Sequence, residues 1–261
     1  MKILFFGDVV GSLARQKICD TLPSYREQHA IDFVIINGEN AAAGFGITQK
    51  ICQEFYNSGV DAITMGNHTW DNKDIYSFID SDKRLIRPAN YPKNTPGRGA
   101  SMIQDQQGRS VLVVNLLGRV FMHPTLDCPF EALDRELEFP ELGTICDAII
   151  IDMHAEATSE KQAMGHYADG RVSLVVGTHT HVPTADECIL PKGTAYQTDS
   201  GMCGVYDSIV GMKKPEAINR FVTKINGGRF EPAIGTATLR GTLIETNPKT
   251  GLADSIARIV I

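Results

Sequence analysis

The stretch VVGTHTHVPTAD, residues 175–186, ends an apolar run with two histidines that are separated by one threonine. The apolar residues predict a buried strand, and the side chains of a strand alternate between its two faces. His179 and His181 would therefore project from the same side if the chain stayed extended. Two imidazoles on one side suit a shared role, but a polar loop after a buried strand explains the motif equally well. By itself the motif leaves both interpretations open.

Five further apolar runs that are rich in β-branched residues precede this one. Such runs are typical of strands covered on both faces, and here they alternate with helical patterns or loops. The order predicts an α/β protein with a layered sheet. We expect one domain spanning residues 1–261, because no repeat, low-complexity tract or Pro/Gly-rich linker marks a boundary. The runs are KILFFGD, DFVIINGEN, AITMGNH, SVLVVNLLG and DAIIIDMHA.

Two helices between these runs have recognisable start signals. Thr48 is suited to cap a helix over residues 48–59, which a glycine ends. Ser159 and Gln162 form a capping-box pattern for a helix over residues 159–170, which also stops at a glycine. Both helices fall where a layered α/β sheet requires them.

The pattern changes after about residue 188, where we predict short strands without long helices. The C-terminal segment indicates two strands joined by a turn at residues 247–251, whose Asn, Pro and Gly favour chain reversal. This predicts an antiparallel edge or a second sheet. The last strand, within residues 251–261, either pairs with another chain or is covered within the fold, so a homo-oligomer stays open.

Composition and charge disfavour several classes of protein. Hydrophobic residues make up 43% and charged residues 21% of the chain, and the formal net charge is -6. This mildly acidic charge does not indicate the broad basic surface that binds nucleic acid or membranes. Gly7 and Asp8 interrupt the apolar N-terminal run before it reaches the length of a signal-peptide core or a membrane span. The six cysteines form no CxxC pair, which predicts free thiols in a reducing cytoplasm.

Polar side chains gather at the carboxyl ends of the predicted strands. Open α/β sheets build their sites at those ends, so these groups converge if the strands are neighbours. Carboxylates, amides and imidazoles together suit one or two divalent metal ions of borderline hardness. Each residue alone has an ordinary explanation as a helix cap, a turn residue or a core hydrogen bond, but all of them together predict a metal site. They are Asp8, Glu39, Asn40, Asn67, His68, His154, His179 and His181.

Five blocks contain these residues: GDVVG, NGENAAAGFGIT, GNHTWD, DMHAEATSEK and GTHTHVPTAD. They resemble the signature segments of calcineurin-like metallophosphoesterases, and most closely those of the YmdB-type bacterial branch, which is described as cyclic-nucleotide phosphodiesterases. The resemblance covers most of the chain, and GNH followed by GxHxH is its most specific element. It implies a four-layered α/β/β/α sandwich with mixed sheets and two metal ions at one edge.

The resemblance also implies a role for each candidate residue. The first metal would be held by Asp8, Glu39, Asn40 and His181. The second would share Glu39 as a bridge and be completed by Asn67, His154 and His179. Beside the metals, His68 would protonate the leaving oxygen or stabilise its charge.

Two departures from the superfamily pattern bear on the metals. Asp8 is followed by Val9 and Val10 where most relatives have Asp-x-His, so one imidazole ligand is missing and Asn40 is the implied replacement. Glu39 stands where most relatives have aspartate, and its extra methylene loosens the constraint on metal spacing. The resemblance favours iron or manganese and allows zinc or magnesium.

The predicted function is a dinuclear-metal phosphodiesterase acting on a small phosphoester. The resemblance favours a 2',3'-cyclic nucleotide, hydrolysed by a hydroxide held between the two metals. A phosphomonoesterase or nucleotidase is the alternative, because the same metal centre attacks both kinds of ester. A regulatory protein that binds RNA or a nuclease and keeps structural metals is an alternative of another class, which the acidic net charge disfavours.

Five further residues have two interpretations each. Phe45 would stack on a substrate base or fill a hydrophobic gap. Glu156, Thr178 and Thr180 would orient the histidines or form ordinary loop hydrogen bonds. Ser200 lies in TDSGMCG without the GxSxG pattern of a nucleophile, which favours a loop serine near the site.

Overall fold

All six apolar runs form strands in the computed structural model, which describes residues 1–225, 228 and 230–261. The described strands are β1 (Lys2–Val9), β2 (Phe33–Asn37), β3 (Ala62–Thr64), β4 (Leu85–Ile86), β5 (Ala100–Gln104), β6 (Ser110–Leu117), β7 (Ala148–His154), β8 (Leu174–Thr178), β9 (Cys188–Ile189), β10 (Ala195–Gln197), β11 (Met202–Val205), β12 (Ala237–Thr238), β13 (Arg240–Thr246) and β14 (Ala253–Val260). The described α-helices are α1 (Gly11–His29), α2 (Gln49–Asn57), α3 (Pro129–Glu136), α4 (Thr158–Ala168) and α5 (Lys214–Thr223), and a 3₁₀ helix spans Lys73–Ser77.

The strands form two mixed sheets. The first has the order β12-β11-β1-β2-β3-β4, and β13 pairs antiparallel with the amino-terminal part of β1 and with β14. The second has the order β5-β6-β7-β8-β10-β9. The pairs β1–β2, β2–β3, β6–β7 and β7–β8 are parallel. Their carboxyl ends therefore point to one edge of each sheet.

Three apolar clusters define four layers. Along β1 the side chains alternate: Leu4 and Phe6 pack towards α1 and α2, whereas Ile3 and Phe5 pack against the other sheet. The central cluster joins residues of both sheets, and a third cluster lies between the second sheet and helices α3 and α4. The predicted α/β/β/α sandwich with mixed sheets is confirmed.

The two predicted helix starts have different outcomes. Thr48 caps α2, and its Oγ1 accepts a hydrogen bond from the Ile51 amide at 3.3 Å, as predicted. The capping box at Ser159 is wrong, because α4 begins one residue earlier and Ala157 takes the cap position without a side-chain hydrogen bond. Ser159 therefore lies inside the first turn, where its hydroxyl is not in the cap position.

The region after residue 188 contains a helix that the sequence prediction missed. The helix α5 spans ten residues, with a proline in its first turn, and Ala217 is its one buried residue. Proline at that position is a helix-start signal. The predicted C-terminal hairpin is confirmed, since β13 and β14 pair antiparallel around the turn at residues 247–251.

The last strand is an edge strand. Among the described strands β14 pairs only with β13, and most of its side chains are exposed. Arg258 on this strand forms an ion pair with Glu187 at 2.8 Å. Charged side chains discourage a further strand from adding to such an edge. None of the helices that the described residues form has the length and apolarity of a membrane span.

Candidate metal centre

The carboxyl ends of parallel strands from both sheets meet at one edge of the sandwich. Asp8 lies near the end of β1, His154 ends β7, and the other candidates follow β2, β3 and β8 directly. In the paired sheet, His154 lies opposite Thr178, the residue before the first histidine of the THTH segment. These five strand ends thus place all eight candidate residues on this edge.

One group of ligand atoms surrounds the His154 ring. Its Nε2 atom lies 3.1 Å from Glu39 Oε1, 3.0 Å from Asn67 Oδ1 and 3.2 Å from His179 Nδ1. Ligand atoms of Glu39, His154 and His179 all lie within 4.8 Å of one another. A carboxylate oxygen, an amide oxygen and two imidazole nitrogens form a donor set that suits a divalent transition metal.

A second group is centred on the Asp8 carboxylate, which is fully buried. His181 Nε2 lies 3.8 Å from Asp8 Oδ1, and the His179 amide donates to Asp8 Oδ2 at 3.1 Å. Asn40 is 3% exposed, and while its Nδ2 donates to Gly44 O at 2.9 Å, its Oδ1 has no hydrogen-bond partner. A buried acceptor without a donor is unfavourable, so this oxygen fits a cation ligand.

The glycine of the GNH motif is required by close packing. A Cβ atom on Gly66 would lie 2.3 Å from Glu39 Oε2 and 2.4 Å from His154 Nε2. Any side chain there would push apart the carboxylate and the imidazole. The glycine therefore lets the chain after β3 pass directly over two candidate ligands, Glu39 and His154.

Hydrogen bonds behind the rings determine which nitrogen of each histidine faces the site. Thr178 Oγ1 donates its single hydrogen to Asp152 Oδ1 at 2.6 Å, so it accepts from His154 Nδ1 at 2.8 Å. His154 therefore carries a proton on Nδ1 and turns Nε2 towards Glu39. This orientation by an outer hydrogen bond is common at metal-binding histidines.

The other two histidines are oriented in different ways. His181 Nδ1 donates to the Val210 carbonyl at 2.8 Å, which leaves Nε2 facing Asp8. His179 Nε2 lies 3.3 Å from Glu156 Oε2, which leaves Nδ1 facing His154. Each ring thus turns its second nitrogen towards another candidate residue: Nε2 of His154 towards Glu39, Nε2 of His181 towards Asp8, and Nδ1 of His179 towards His154.

Burial and neighbouring charges shift several pKa values in the site. Burial raises the pKa of Asp8 to about 6. Burial also opposes ionisation of Glu39, but the positive charge of His154 and its hydrogen bond hold the Glu39 pKa at about 2. Burial lowers the pKa of His154, but the Glu39 and Asp8 carboxylates outweigh it and raise that pKa to about 9. The carboxylates therefore favour a positive charge at this position.

His68 lies beside these groups and is held from three sides. Its Nδ1 lies 2.8 Å from Asp71 Oδ2, and its amide donates to Glu39 Oε2 at 3.1 Å. The Phe45 ring meets the His68 ring edge-on, with 5.0 Å between centroids. These contacts hold the Nδ1 edge and the backbone of His68, whose side chain is 27% exposed.

The structure corrects the predicted geometry of the THTH segment. The strand β8 ends at Thr178, and His179 and His181 have φ angles of 95° and 65°. The chain is not extended there, so alternation along a strand does not orient the two rings. The two rings instead face different groups of candidate ligands, His179 towards His154 and His181 towards Asp8, in line with their assignment to separate metals by the resemblance.

Several residues around the site were missed or left open by the sequence. Asp71 lies three residues after His68 in GNHTWD, and an acidic residue at that spacing was an available signal. No local pattern indicates Asp152 or Asp199. Ser200 is buried and lies 3.1 Å from Thr242 Oγ1, a structural position rather than that of an exposed nucleophile.

Phe45 has contacts that favour the packing interpretation. Its ring lies against a small apolar cluster that includes Val10, Met202 and Met212, and its edge-on contact is with His68. A ring held in this way fills a gap and supports the histidine.

Comparisons with known proteins agree with this arrangement. A profile of the YmdB-like protein family matches residues 4–259. A Bacillus subtilis protein named 2',3'-cyclic-nucleotide 2'-phosphodiesterase is 51% identical over 261 residues, which cover 100% of this chain and 97% of that protein.

Two solved structures share the whole fold. A hypothetical protein from Thermus thermophilus has a TM-score of 0.92 at 43% identity, covering 100% of this chain and 99% of its own. A structure described as a novel phosphatase from Mycoplasma pneumoniae also has a TM-score of 0.92, at 35% identity, covering 100% and 93% of the two chains. Because the family profile spans nearly all of the sequence and these relatives match it end to end, this chain belongs to the YmdB-like family.

Proposed function

We propose that the protein is a dinuclear-metal phosphodiesterase that hydrolyses 2',3'-cyclic nucleotides. The observation that supports this most directly is the convergence of buried carboxylate, amide and imidazole ligands at one sheet edge, with His68 beside them. The 51% identity with the Bacillus subtilis enzyme supports the choice of a cyclic diester. The reaction adds water across one P–O bond and leaves a phosphomonoester and a free hydroxyl.

Two sets of residues are proposed to hold the metals. The first metal would be bound by Asp8, Glu39, Asn40 and His181, and the second by Glu39, Asn67, His154 and His179. The unpartnered Asn40 Oδ1 and the 3.8 Å separation of Asp8 from His181 Nε2 support the first set. The atoms around His154 Nε2 support the second. Mixed oxygen and nitrogen ligands without thiolate favour iron or manganese over softer ions, with zinc or magnesium as substitutes.

Two bound divalent ions would activate a water molecule for attack on phosphorus and offset negative charge on the phosphate oxygens. The protein itself then supplies proton transfer and orientation. His68 Nε2 gives a proton to the leaving ribose oxygen, while the Asp71 carboxylate accepts a hydrogen bond from Nδ1 and orients the ring. Glu39 Oε2 holds the His68 backbone, so the proton donor is fixed relative to the metal ligands.

The test is an assay of metal-reconstituted protein on four kinds of substrate. They are 2',3'-cyclic nucleotides, 3',5'-cyclic nucleotides, bis-p-nitrophenyl phosphate and p-nitrophenyl phosphate. We expect hydrolysis of the first and third, and loss of both after Glu39→Gln or chelation. Activity on the monoester alone would instead establish a phosphomonoesterase. Hydrolysis of none would contradict the enzymatic proposal and favour a regulatory protein with structural metals.

We also propose that the protein resides in the cytoplasm. Its six cysteines are all unpaired, and Cys188 is exposed, a pattern that a reducing compartment preserves. Alkylation of the thiols in cells followed by mass spectrometry should find all six reduced. A disulfide between any two of them would contradict this location.

Self-association through α5 is a further proposal. This helix exposes three large apolar residues. Their exposed fractions are 48% for Ile218, 71% for Phe221 and 77% for Val222. Exposed apolar clusters of this kind mark interaction surfaces. Sedimentation should show a dimer or larger assembly that Phe221→Ser weakens, and a concentration-independent monomer would contradict the proposal.

A further inference from the structure

A buried ion pair lies directly behind the loop that carries His179 and His181. Lys161 Nζ on α4 lies 2.7 Å from Asp199 Oδ2, and both side chains are 1% exposed. Removing two charges from water is costly, and such a pair often contributes little net stability. Neither residue belongs to the proposed ligand set, so the pair needs another explanation.

The Asp199 carboxylate also contacts Thr180 of this loop and its own chain neighbour Gly201. Its Oδ2 atom accepts hydrogen bonds from Thr180 Oγ1 at 2.7 Å and from the Thr180 amide at 3.2 Å. Its Oδ1 atom accepts from the Gly201 amide at 2.8 Å. Thr180 is the residue between the two histidines, so the carboxylate holds the midpoint of the THTH segment.

The backbone of this segment requires such support. His179 and His181 both have positive φ, a region that residues with a Cβ atom rarely occupy. A conformation of this kind persists only when the surrounding contacts determine it. It is also what sends one histidine towards His154 and the other towards Asp8.

The glycine of the GTHTH motif gives the lysine access to this position. A Cβ atom on Gly177 would lie 2.7 Å from Lys161 Cδ and 1.8 Å from the Thr198 carbonyl oxygen. The bare backbone at this point lets the lysine side chain pass beneath β8 and reach Asp199. The glycine, the lysine and the aspartate therefore form one arrangement.

We propose that Lys161 and Asp199 are positioning residues that set His179 and His181 at the spacing of two metal ions. Asp199 clamps Thr180, and Lys161 holds the carboxylate in place and balances its charge. This inference rests on the proposed function, because it assigns the pair to the same dinuclear centre. It adds residues that do not themselves contact metal or substrate.

The decisive variants are at Thr180, because they leave the buried ion pair intact. Thr180→Val keeps the side-chain shape and removes the hydroxyl that donates to Asp199, whereas Thr180→Ser restores it. Mn²⁺ binding to metal-free protein is measured by titration calorimetry. We expect Thr180→Val to bind about 10- to 100-fold more weakly, as the loss of an outer hydrogen-bond partner typically does. Thr180→Ser should return to the wild-type affinity.

The ion pair is tested by Lys161→Met, with Arg26→Met as a matched control. Arg26 forms a comparable pair with Asp61 at 2.9 Å, with 13% and 15% of the side chains exposed. That pair lies at the amino ends of the strands, since Asp61 receives the amide of Val34 near the start of β2. Both variants should lower stability in urea, but only Lys161→Met should weaken Mn²⁺ binding or reduce the number of ions bound.

The outcomes separate this inference from the proposed function. Wild-type Mn²⁺ affinity and stoichiometry in Thr180→Val would overturn the positioning role, even if Lys161→Met fails to fold. Equal losses in Arg26→Met and Lys161→Met would reduce the pair to a general structural element and also overturn it. If the wild type binds two Mn²⁺ ions but hydrolyses no phosphoester, the proposed function fails while the positioning role stands. If the wild type binds no Mn²⁺, both fail.

Discussion

At the scale of single residues, the candidate site depends on which atom of each side chain faces inward. His154 presents Nε2 because Thr178 accepts from Nδ1, and Thr178 can accept because Asp152 takes its hydrogen. Asn40 presents Oδ1 because Gly44 occupies its amide group. The residue types alone allow either atom to face inward, and neighbouring hydrogen bonds make the choice.

Replacing Thr178 tests this orientation. Thr178→Val keeps the shape but removes the hydroxyl, so His154 loses the acceptor that fixes its ring. We expect Mn²⁺ affinity to fall about 10- to 100-fold, and unfolding free energy to fall by about 1–3 kcal/mol because buried Asp152 loses a donor. Thr178→Ser is the matched control and should preserve both quantities. Unchanged Mn²⁺ affinity in the valine variant would contradict the orienting role.

Replacing His68 tests the proposed proton donor. His68→Ala removes the imidazole without removing a metal ligand, so turnover of the cyclic nucleotide should fall by about 10²- to 10⁴-fold. Metal content, measured by inductively coupled plasma mass spectrometry, should stay at the wild-type value. Glu39→Gln should lower both turnover and metal content. A His68→Ala enzyme with wild-type turnover would refute the assignment.

At the scale of elements, the helices differ in how they begin. The helix α2 has a side-chain cap from Thr48, whereas α4 starts at Ala157 without one. Both segments contain a plausible capping residue, Thr48 or Ser159. A residue caps a helix only when it lies just before the first helical residue and has an extended backbone. In α4 the chain turns helical before it reaches Ser159, so the same residue type has no capping function there.

A pair of alanine substitutions measures this difference. Thr48→Ala removes the acceptor for the Ile51 amide and should lower unfolding free energy by about 1 kcal/mol. Ser159→Ala removes no cap and should leave the unfolding free energy unchanged or slightly higher, because alanine favours a helix more than serine does. Both values come from urea denaturation monitored by circular dichroism. An equal loss in the two variants would show that Ser159 also caps its helix.

At the scale of the whole molecule, the two sheets share a core. Ile3 and Phe5 of the first sheet belong to the same fully buried cluster as Val113 and Ile150 of the second. The proposed metal centre also draws ligands from both sheets, with Glu39 after β2 and His154 at the end of β7. We therefore propose that residues 1–261 form a single domain, in which neither sheet is stable without the other.

Thermal unfolding tests the single domain. Far-UV circular dichroism reports both sheets, while the fluorescence of Trp70, the single tryptophan, reports the loop after β3. The two transitions should coincide, and the calorimetric enthalpy should equal the van't Hoff enthalpy. Two separated transitions would instead indicate two independently stable units.

Local sequence patterns were sufficient for much of this protein. Continuous apolar runs identified the six principal strands, because a buried strand requires no polar positions. The glycines and polar residues that follow these runs identified the site edge, since the carboxyl ends of parallel strands lie together. The helix α5 was not predicted, although Pro215 in its first turn and the helical spacing of Ile218, Phe221 and Val222 were available signals; it buries only Ala217.

Only the tertiary structure determined how the site is assembled. Strand alternation placed His179 and His181 on one face, whereas the resemblance assigned them to different metals; positive φ angles turn the two rings towards different candidate residues, His154 and Asp8. The contacts that we propose to hold this conformation come from Asp199, in the loop between β10 and β11, and Lys161 on α4, which have no local signature. Short sequence motifs identify the candidate residues and hence the kind of site. Contacts between segments that are distant in the chain orient the side-chain atoms, so the geometry of the site does not follow from the motifs.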